Sequence, residues 1–135
     1  SDLNDRTTSQ FWALRWIADE DPASVDPTDT YLPQRYALAV FWYATADDED
    51  VDWYNYTNWM TGAGLCSWYG VSCHHRPNTD PDEISYDADG GVTHLNLTDN
   101  ALRGTIPREV FTTLSDLRVL YLDRNELTGT IPSEL

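Results

Sequence analysis

Leucines at 95, 97 and 102, and again at 120, 122 and 127, set the clearest rhythm in this chain. Laying "VTHLNLTDNALRGTIPREV" (92–110) over "LRVLYLDRNELTGTIPSEL" (117–135), a shift of 25 residues, gives nine identities in 19 positions. Leu95 and Leu97 alternate with Asn96, the period of a strand that turns leucines inward and polar residues outward. Asn100 then turns the chain, its carboxamide suited to backbone groups that a tight inward turn leaves unpaired. Ile106 returns to the core, and Pro107 ends regular hydrogen bonding. One such unit cannot bury its own apolar face. Two are therefore expected to stack, with their strands in a short parallel sheet.

Upstream the period changes to that of helices. "SQFWALRWIADED" places Phe11, Leu14 and Ala18 on one helical face, with Trp12 and Trp16 beside it and Ser9 as the N-cap. A Pro- and Asp-rich connector, "DPASVDPTDTYLPQ", leads to a second helix over about Pro33 to Thr45. That helix is apolar on nearly all sides, which predicts burial. The acidic run "DDEDVD" (47–52) ends it, and the aromatic "DWYNYTNWM", "CSWYGVSC" (66–73) and the loop "HHRPNTDPDEISYDADGG" follow.

Composition narrows the classes of function. With 135 residues the chain is one domain's worth. Six Trp, eight Tyr and three Phe argue for a packed interior, so a net charge of -15 does not mean disorder. All eight basic residues are Arg, against 23 carboxylates, a balance that repels nucleic acid and anionic lipid. The longest uncharged apolar stretch, "YALAVFWYATA", is about half of the roughly 20 residues a membrane-spanning helix needs. "SDLNDRTTSQ" has neither the basic start nor the apolar stretch of a signal peptide.

A helix-rich segment, then C-x-W-x-G-V-x-C, then L-x-x-L-x-L-x-x-N-x-L-x-G-x-I-P: this order resembles the N-terminal cap and first repeats of plant-type leucine-rich repeat proteins. It is especially similar to algal members with two cap helices, over about residues 9 to 135. The resemblance implies an α/β solenoid. A helical, disulfide-stapled cap (1–91) would precede about two repeats, 92–116 and an incomplete 117–135. Two features depart from the family pattern: the loop between Cys73 and Val92 is long and acidic, and the chain stops inside its second repeat.

Cys66 and Cys73 are the only cysteines. A structural zinc site wants four ligands with closer Cys pairs, and His74 and His75, as neighbours, would point to opposite sides of a strand. A C-x-x-C redox motif is absent, and no nearby basic residue would lower a thiol pKa. A disulfide fits better, and in the resembling family such a bridge pins the cap to the first repeat. Trp68 packs beneath it there, and Gly70 gives a close backbone approach. A disulfide implies an oxidising, extracellular compartment. The sequons at Asn55 ("NYT") and Asn96 ("NLT") agree and mark candidate N-linked glycans.

In this family the concave face usually binds. The outward positions are His94, Asn96, Thr98 and Asp99 from one repeat and Val119, Tyr121, Asp123 and Arg124 from the next. Tyr121 and Arg124 suit an anchor role. Asp80, Asp82, Asp87 and Asp89 supply oxygen ligands of the kind Ca²⁺ takes, but without the spacing of a calcium loop. Solvated acidic loops fit better, and no cofactor is expected. Nucleophile, phosphate-loop and nucleotide motifs are absent, so the expectation is no enzyme. The sequence predicts a secreted or cell-surface, non-catalytic module for protein, peptide or glycan recognition or scaffolding. An alternative starts from the open edge of Leu120, Leu122, Leu127, Ile131 and Leu135. Covered by the next copy's cap, that edge would build a glycosylated head-to-tail filament.

Overall fold

The structure is a computed structural model, describing residues 8–21, 32–46, 53–73 and 91–128. Helix α1 spans Ser9–Arg15, and its cap is Thr8, whose Oγ1 accepts from the Phe11 amide at 3.1 Å. The expected cap, Ser9, is instead the first helical residue. Threonine and serine hydroxyls serve almost equally at this position, so sequence alone does not choose between neighbours. A wider π turn, Trp16–Glu20, follows and closes with the Asp21 amide donating to the Trp16 carbonyl at 2.7 Å. The buried side chains are Ala13 and Trp16, whereas Leu14 and Ala18 are exposed and Phe11 is half-buried. The expected stripe of Phe11, Leu14 and Ala18 is therefore not the inward one. Small Ala13 lets α1 approach the second helix closely, and the wide turn rotates later positions off an ideal 3.6-residue stripe.

Helix α2, Leu32–Thr45, runs through the centre, with Ala37 to Phe41 fully buried. Its buried polar side chains all have partners. Gln34 Oε1 accepts from the Val92 amide at 2.8 Å, and Thr45 Oγ1 donates to the Phe41 carbonyl at 2.7 Å.

Among the described residues five short strands follow: β1 Val71–Cys73, β2 Val92–Asn96, β3 Arg103–Gly104, β4 Val119–Tyr121 and β5 Glu126–Leu127, with a short helix α3 at Glu109–Thr112. β2 pairs with β4 in parallel, His94 opposite Val119, Leu95 opposite Leu120 and Asn96 opposite Tyr121. β3 pairs with β5 in the same sense, Arg103 opposite Glu126. The β2–β4 pairing keeps the 25-residue offset of the sequence repeat, and β3–β5 is set two residues short of it, at 23. β1 joins the other side of β2 antiparallel, so the three-stranded sheet is mixed rather than purely parallel. Gly104, at φ +81°, closes one side of the coil: a Cβ there would strike the Ala44 carbonyl at the end of α2.

The asparagines are the framework of the stack. Asn125 Oδ1 accepts from the amides of Asn100 (2.8 Å) and Leu102 (3.1 Å), and its Nδ2 donates to the Leu97 carbonyl at 2.8 Å. The Asn100 side chain, one repeat earlier, bonds not to a repeat but to Asn55: its Oδ1 accepts from the Asn55 amide at 2.7 Å and its Nδ2 donates to the Asn55 carbonyl at 2.8 Å. The segment around Asn55 thus stands where a preceding coil would stand. Asn100→Ala removes both bonds and leaves the Asn55 amide and carbonyl without partners, an expected loss of about 2–3 kcal/mol in urea unfolding. Asn125→Ala, at the less buried end, should cost less.

One continuous core runs from the helices into the coils. It holds Ala13, Trp16, α2, Trp53, Trp59 and Trp68 together with Val92, Leu95, Leu97, Leu102, Val110 and Leu114. Tryptophan rings meet in sequence through it, Trp42 to Trp53 at 4.8 Å, Trp53 to Trp59 at 4.8 Å and Trp59 to Trp68 at 5.0 Å between centroids. Leu95, Leu97 and Leu102 are fully buried, while their counterparts Leu120, Leu122 and Leu127 are half-buried. Ile131 and Leu135, expected at the same edge, lie outside the described residues.

Candidate functional site

The outward face of the β1–β2–β4 sheet is built by how β1 is held. A disulfide joins Cys66, in a single 3-10 turn, to Cys73 at the end of β1. Trp68 is buried between them in sequence, its indole Nε1 donating to the Ala63 carbonyl at 3.2 Å. Gly70 has φ +81°, and a Cβ on it would collide with the Asn96 carbonyl, so only glycine allows β1 to lie so close against β2. The Asn96 amide donates to the Gly70 carbonyl at 2.8 Å. Replacing both cysteines with serine should cost about 2–3 kcal/mol by the loop-entropy estimate and release the β1 amides to hydrogen exchange.

Strand alternation then lines up side chains across the three strands. Ser72, His94 and Val119 form one row, and Asn96 and Tyr121 the next, with Gly70 bonded beside Asn96. Tyr69 and Tyr121, both exposed, help line a hollow of about 350 Å³ on this face. The Tyr69 backbone is fixed at both ends: its amide donates to the Thr57 carbonyl at 2.9 Å, and its carbonyl accepts from the Trp59 indole at 2.9 Å. His94 Nδ1 lies 2.8 Å from Thr93 Oγ1, and Asn96 Oδ1 accepts from the Thr98 amide at 3.2 Å.

Of the eight expected binding residues, His94, Asn96, Val119 and Tyr121 meet in this hollow. Thr98, Asp99, Asp123 and Arg124 do not line it. They sit at the strand ends, where the Asp99 amide donates to the Asp123 carbonyl (2.9 Å) and Thr98 Oγ1 to Asp123 Oδ1 (2.8 Å). Asp99 and Arg124, 25 residues apart, both adopt left-handed backbone, at φ 52° and 59°. Tyr69, Val71 and Ser72 were not expected at the site. The signal was available in "WYGVSC", where buried Trp68 and Val71 frame outward Tyr69 and Ser72.

The two sequons differ in setting. Asn55 is half-buried between exposed Tyr54 and Tyr56, its Oδ1 accepting from the amide and hydroxyl of Thr57 at 3.0 and 2.8 Å. Asn96 stands exposed within the hollow. The candidate calcium ligands Asp80, Asp82, Asp87 and Asp89 lie outside the described residues. Among the described residues, no group of three or more His, Cys, Asp or Glu is placed to hold a metal ion. No helix among them is long and apolar enough to cross a membrane. Behind the sheet, burial raises the Tyr36 and Tyr43 phenols above their ordinary pKa, with Glu109 and Glu20 adding to the respective effects.

Residues 116–135 match the family model described as Leucine Rich Repeat. Over 82 residues, 61% of this chain, the sequence is 35% identical to a probable leucine-rich repeat receptor-like protein kinase of Arabidopsis thaliana and covers 6% of it. Receptor-like kinase TMK4 of the same plant is 35% identical over 57% of this chain and 7% of its own length. Receptor protein kinase WSS1 of Oryza sativa subsp. japonica is 36% identical over 53% of this chain and 7% of its own length. The chain therefore spans less than a tenth of these curated relatives. A solved structure, that of the BIR3 - SERK2 complex from Arabidopsis thaliana, aligns with 60% of this chain and 36% of its own at 26% identity and a TM-score of 0.41.

Proposed function

From the premise that this chain is a leucine-rich repeat protein of the plant type, we propose that it is a non-catalytic extracellular recognition module. It binds a protein or peptide on the outward face of its β1–β2–β4 sheet. Residues 1–91 act as the helical cap and 92–135 as the repeats, 92–116 and 117–135. The observation that carries this reading is the hollow lined by Tyr69 and Tyr121. Two strands give a face only about 5 Å across, too narrow for a specific contact; β1 doubles it to about 10 Å, and Tyr69 just before it adds a second exposed tyrosine. Exposed tyrosines on a polar rim are the composition of interface anchors.

The cap is thus part of the binding surface as well as a cover for the first coil. The disulfide agrees with an oxidising compartment, and an N-linked glycan on Asn55 fits its setting. A glycan on Asn96 would fill the hollow, so this reading requires Asn96 to be unmodified in the ligand-binding form. The comparisons offer the filament reading and glycan recognition no support.

The test is site-directed photo-cross-linking. A benzophenone amino acid at Ser72 or Tyr121, or at exposed Thr112 on α3 as the control, is irradiated with secreted proteins from the source organism. Protein adducts from positions 72 and 121 but not 112 support the proposal. Adducts from 112 alone, or from all three equally, contradict it.

A further inference from the structure

We infer that the hollow takes the cationic side chain of a basic peptide, an arginine in the first place. This rests on the recognition reading above and specifies its ligand. At about 350 Å³ the hollow is near the lower limit of small-molecule sites, the right order for one or two side chains rather than a whole folded partner. Its lining includes Tyr69 and Tyr121, both exposed, with Gly70, Ser72, His94 and Asn96. Among the described residues, no arginine lines it. Exposed tyrosine rings lining such a hollow can attract a planar guanidinium, a preference arginine satisfies better than lysine.

Charge selects the same occupant. Asp123 lies one outward position beyond Tyr121, about 7 Å along the strand direction. Its Oδ1 is held by the Thr98 hydroxyl at 2.8 Å. A guanidinium whose stem crosses the Tyr121 ring is within reach of that carboxylate, and Asp99 is its neighbour across the ladder. Arg124 follows Asp123 in the same turn and offsets part of this local charge. The field of the whole chain does not: at -15 it draws basic peptides in and repels acidic ones. A neutral sugar would gain from the tyrosine faces but nothing from the carboxylates or the field.

Calorimetric titration of the full chain with short capped peptides of glycine and serine tests this. One peptide carries arginine at two positions, the second carries the neutral isostere citrulline there, and the third carries glutamate. A neutral β-glucan hexasaccharide is the fourth probe. The expected result is binding of the arginine peptide, weakened about tenfold by citrulline, abolished by glutamate and reduced as salt is raised. Tyr121→Ala, at an exposed ring whose backbone bonds remain, should weaken it about threefold to thirtyfold, and Asp123→Asn about threefold. The inference falls if citrulline binds as well as arginine, if both variants bind unchanged, if the hexasaccharide binds more tightly, or if no peptide binds. Cross-linking from Ser72 and Tyr121 to a partner, together with failure of the arginine peptide, overturns the ligand class and leaves the recognition reading standing. Cross-linking confined to Thr112 removes the recognition reading whatever the peptides do.

Discussion

Arg35→Ala is expected to destabilise the protein by about 3–5 kcal/mol, a large part of the roughly 5–15 kcal/mol that holds a domain of this size folded. The cause is what the guanidinium leaves behind. Arg35 Nε and Nη2 donate to the two Asp21 oxygens at 2.7 and 2.9 Å, and both side chains are almost wholly buried, at 5% and 1% exposure. The same guanidinium donates to the carbonyls of Thr61 (2.7 Å) and Ala63 (3.2 Å), and it lies over the rings of Trp16 and Trp68 at 5.3 and 5.0 Å. One side chain therefore joins α2, the end of the first helical segment and the loop before the disulfide. Without it a carboxylate stays buried beside unfilled volume. Asp21→Ala should be comparably costly. The double replacement Arg35→Met with Asp21→Leu should cost less than either single alanine variant, because it removes both charges and keeps the space filled. Urea unfolding of the three variants measures this ordering; a single alanine variant with wild-type stability would contradict it.

Trp68→Ala is the second large effect, about 3–5 kcal/mol. Trp68 is 1% exposed and makes edge contact with Trp16 at 6.2 Å and a tilted contact with Trp59 at 5.0 Å. Its removal also takes away one of the two rings over Arg35, so the losses in Trp68→Ala and Arg35→Ala should not add. Trp68→Phe keeps a ring and loses the indole bond to Ala63, and should recover part of the stability. Because Trp68 underlies the turn into β1, the alanine variant should also weaken binding at the Tyr69 side of the hollow. Tyr121→Ala should weaken binding with no change in unfolding. That contrast separates support of the face from contact with the ligand.

The repeats were legible in the sequence because their spacing is physical. Leucines at every second position and an asparagine at a fixed offset admit few other structures, and Leu95, Leu97, Leu102 and Asn100 are buried as that pattern requires. The apolar run 33–45 likewise announced a buried helix, and the cysteine pair its staple. The inward face of α1 was less accessible. Six apolar residues crowd positions 11–17, and the choice of Ala13 and Trp16 depends on the wide turn at Trp16–Glu20 and on the approach of α2, neither of which local periodicity encodes. The Arg35–Asp21 pair was invisible for a related reason: the chain holds eight arginines and 23 carboxylates, and only tertiary packing selects which two share a dry site. The same holds for β1. Three residues have too short a period to identify a strand, and the antiparallel edge that completes the hollow depends on a single glycine fitting beneath the Asn96 carbonyl.

Central to all of this is that the helical segment and the first coil form one cooperative body, which is what gives the proposed recognition face its third strand. Native-state hydrogen exchange, resolved by residue, tests it directly. The amides of Asn55, Val92 and Asn96 donate across that junction, to Asn100, Gln34 and Gly70 respectively, and that of Leu97 donates from the first coil to Tyr121 of the second. They should exchange with one common opening free energy, close to that of global unfolding, and Asn100→Ala should lower it for all four together. If the Asn55 amide and those of residues 65–73 instead open well below the Val92 and Leu97 amides, and independently of Asn100, the helical segment and coil are separate bodies and the three-stranded face does not persist in solution.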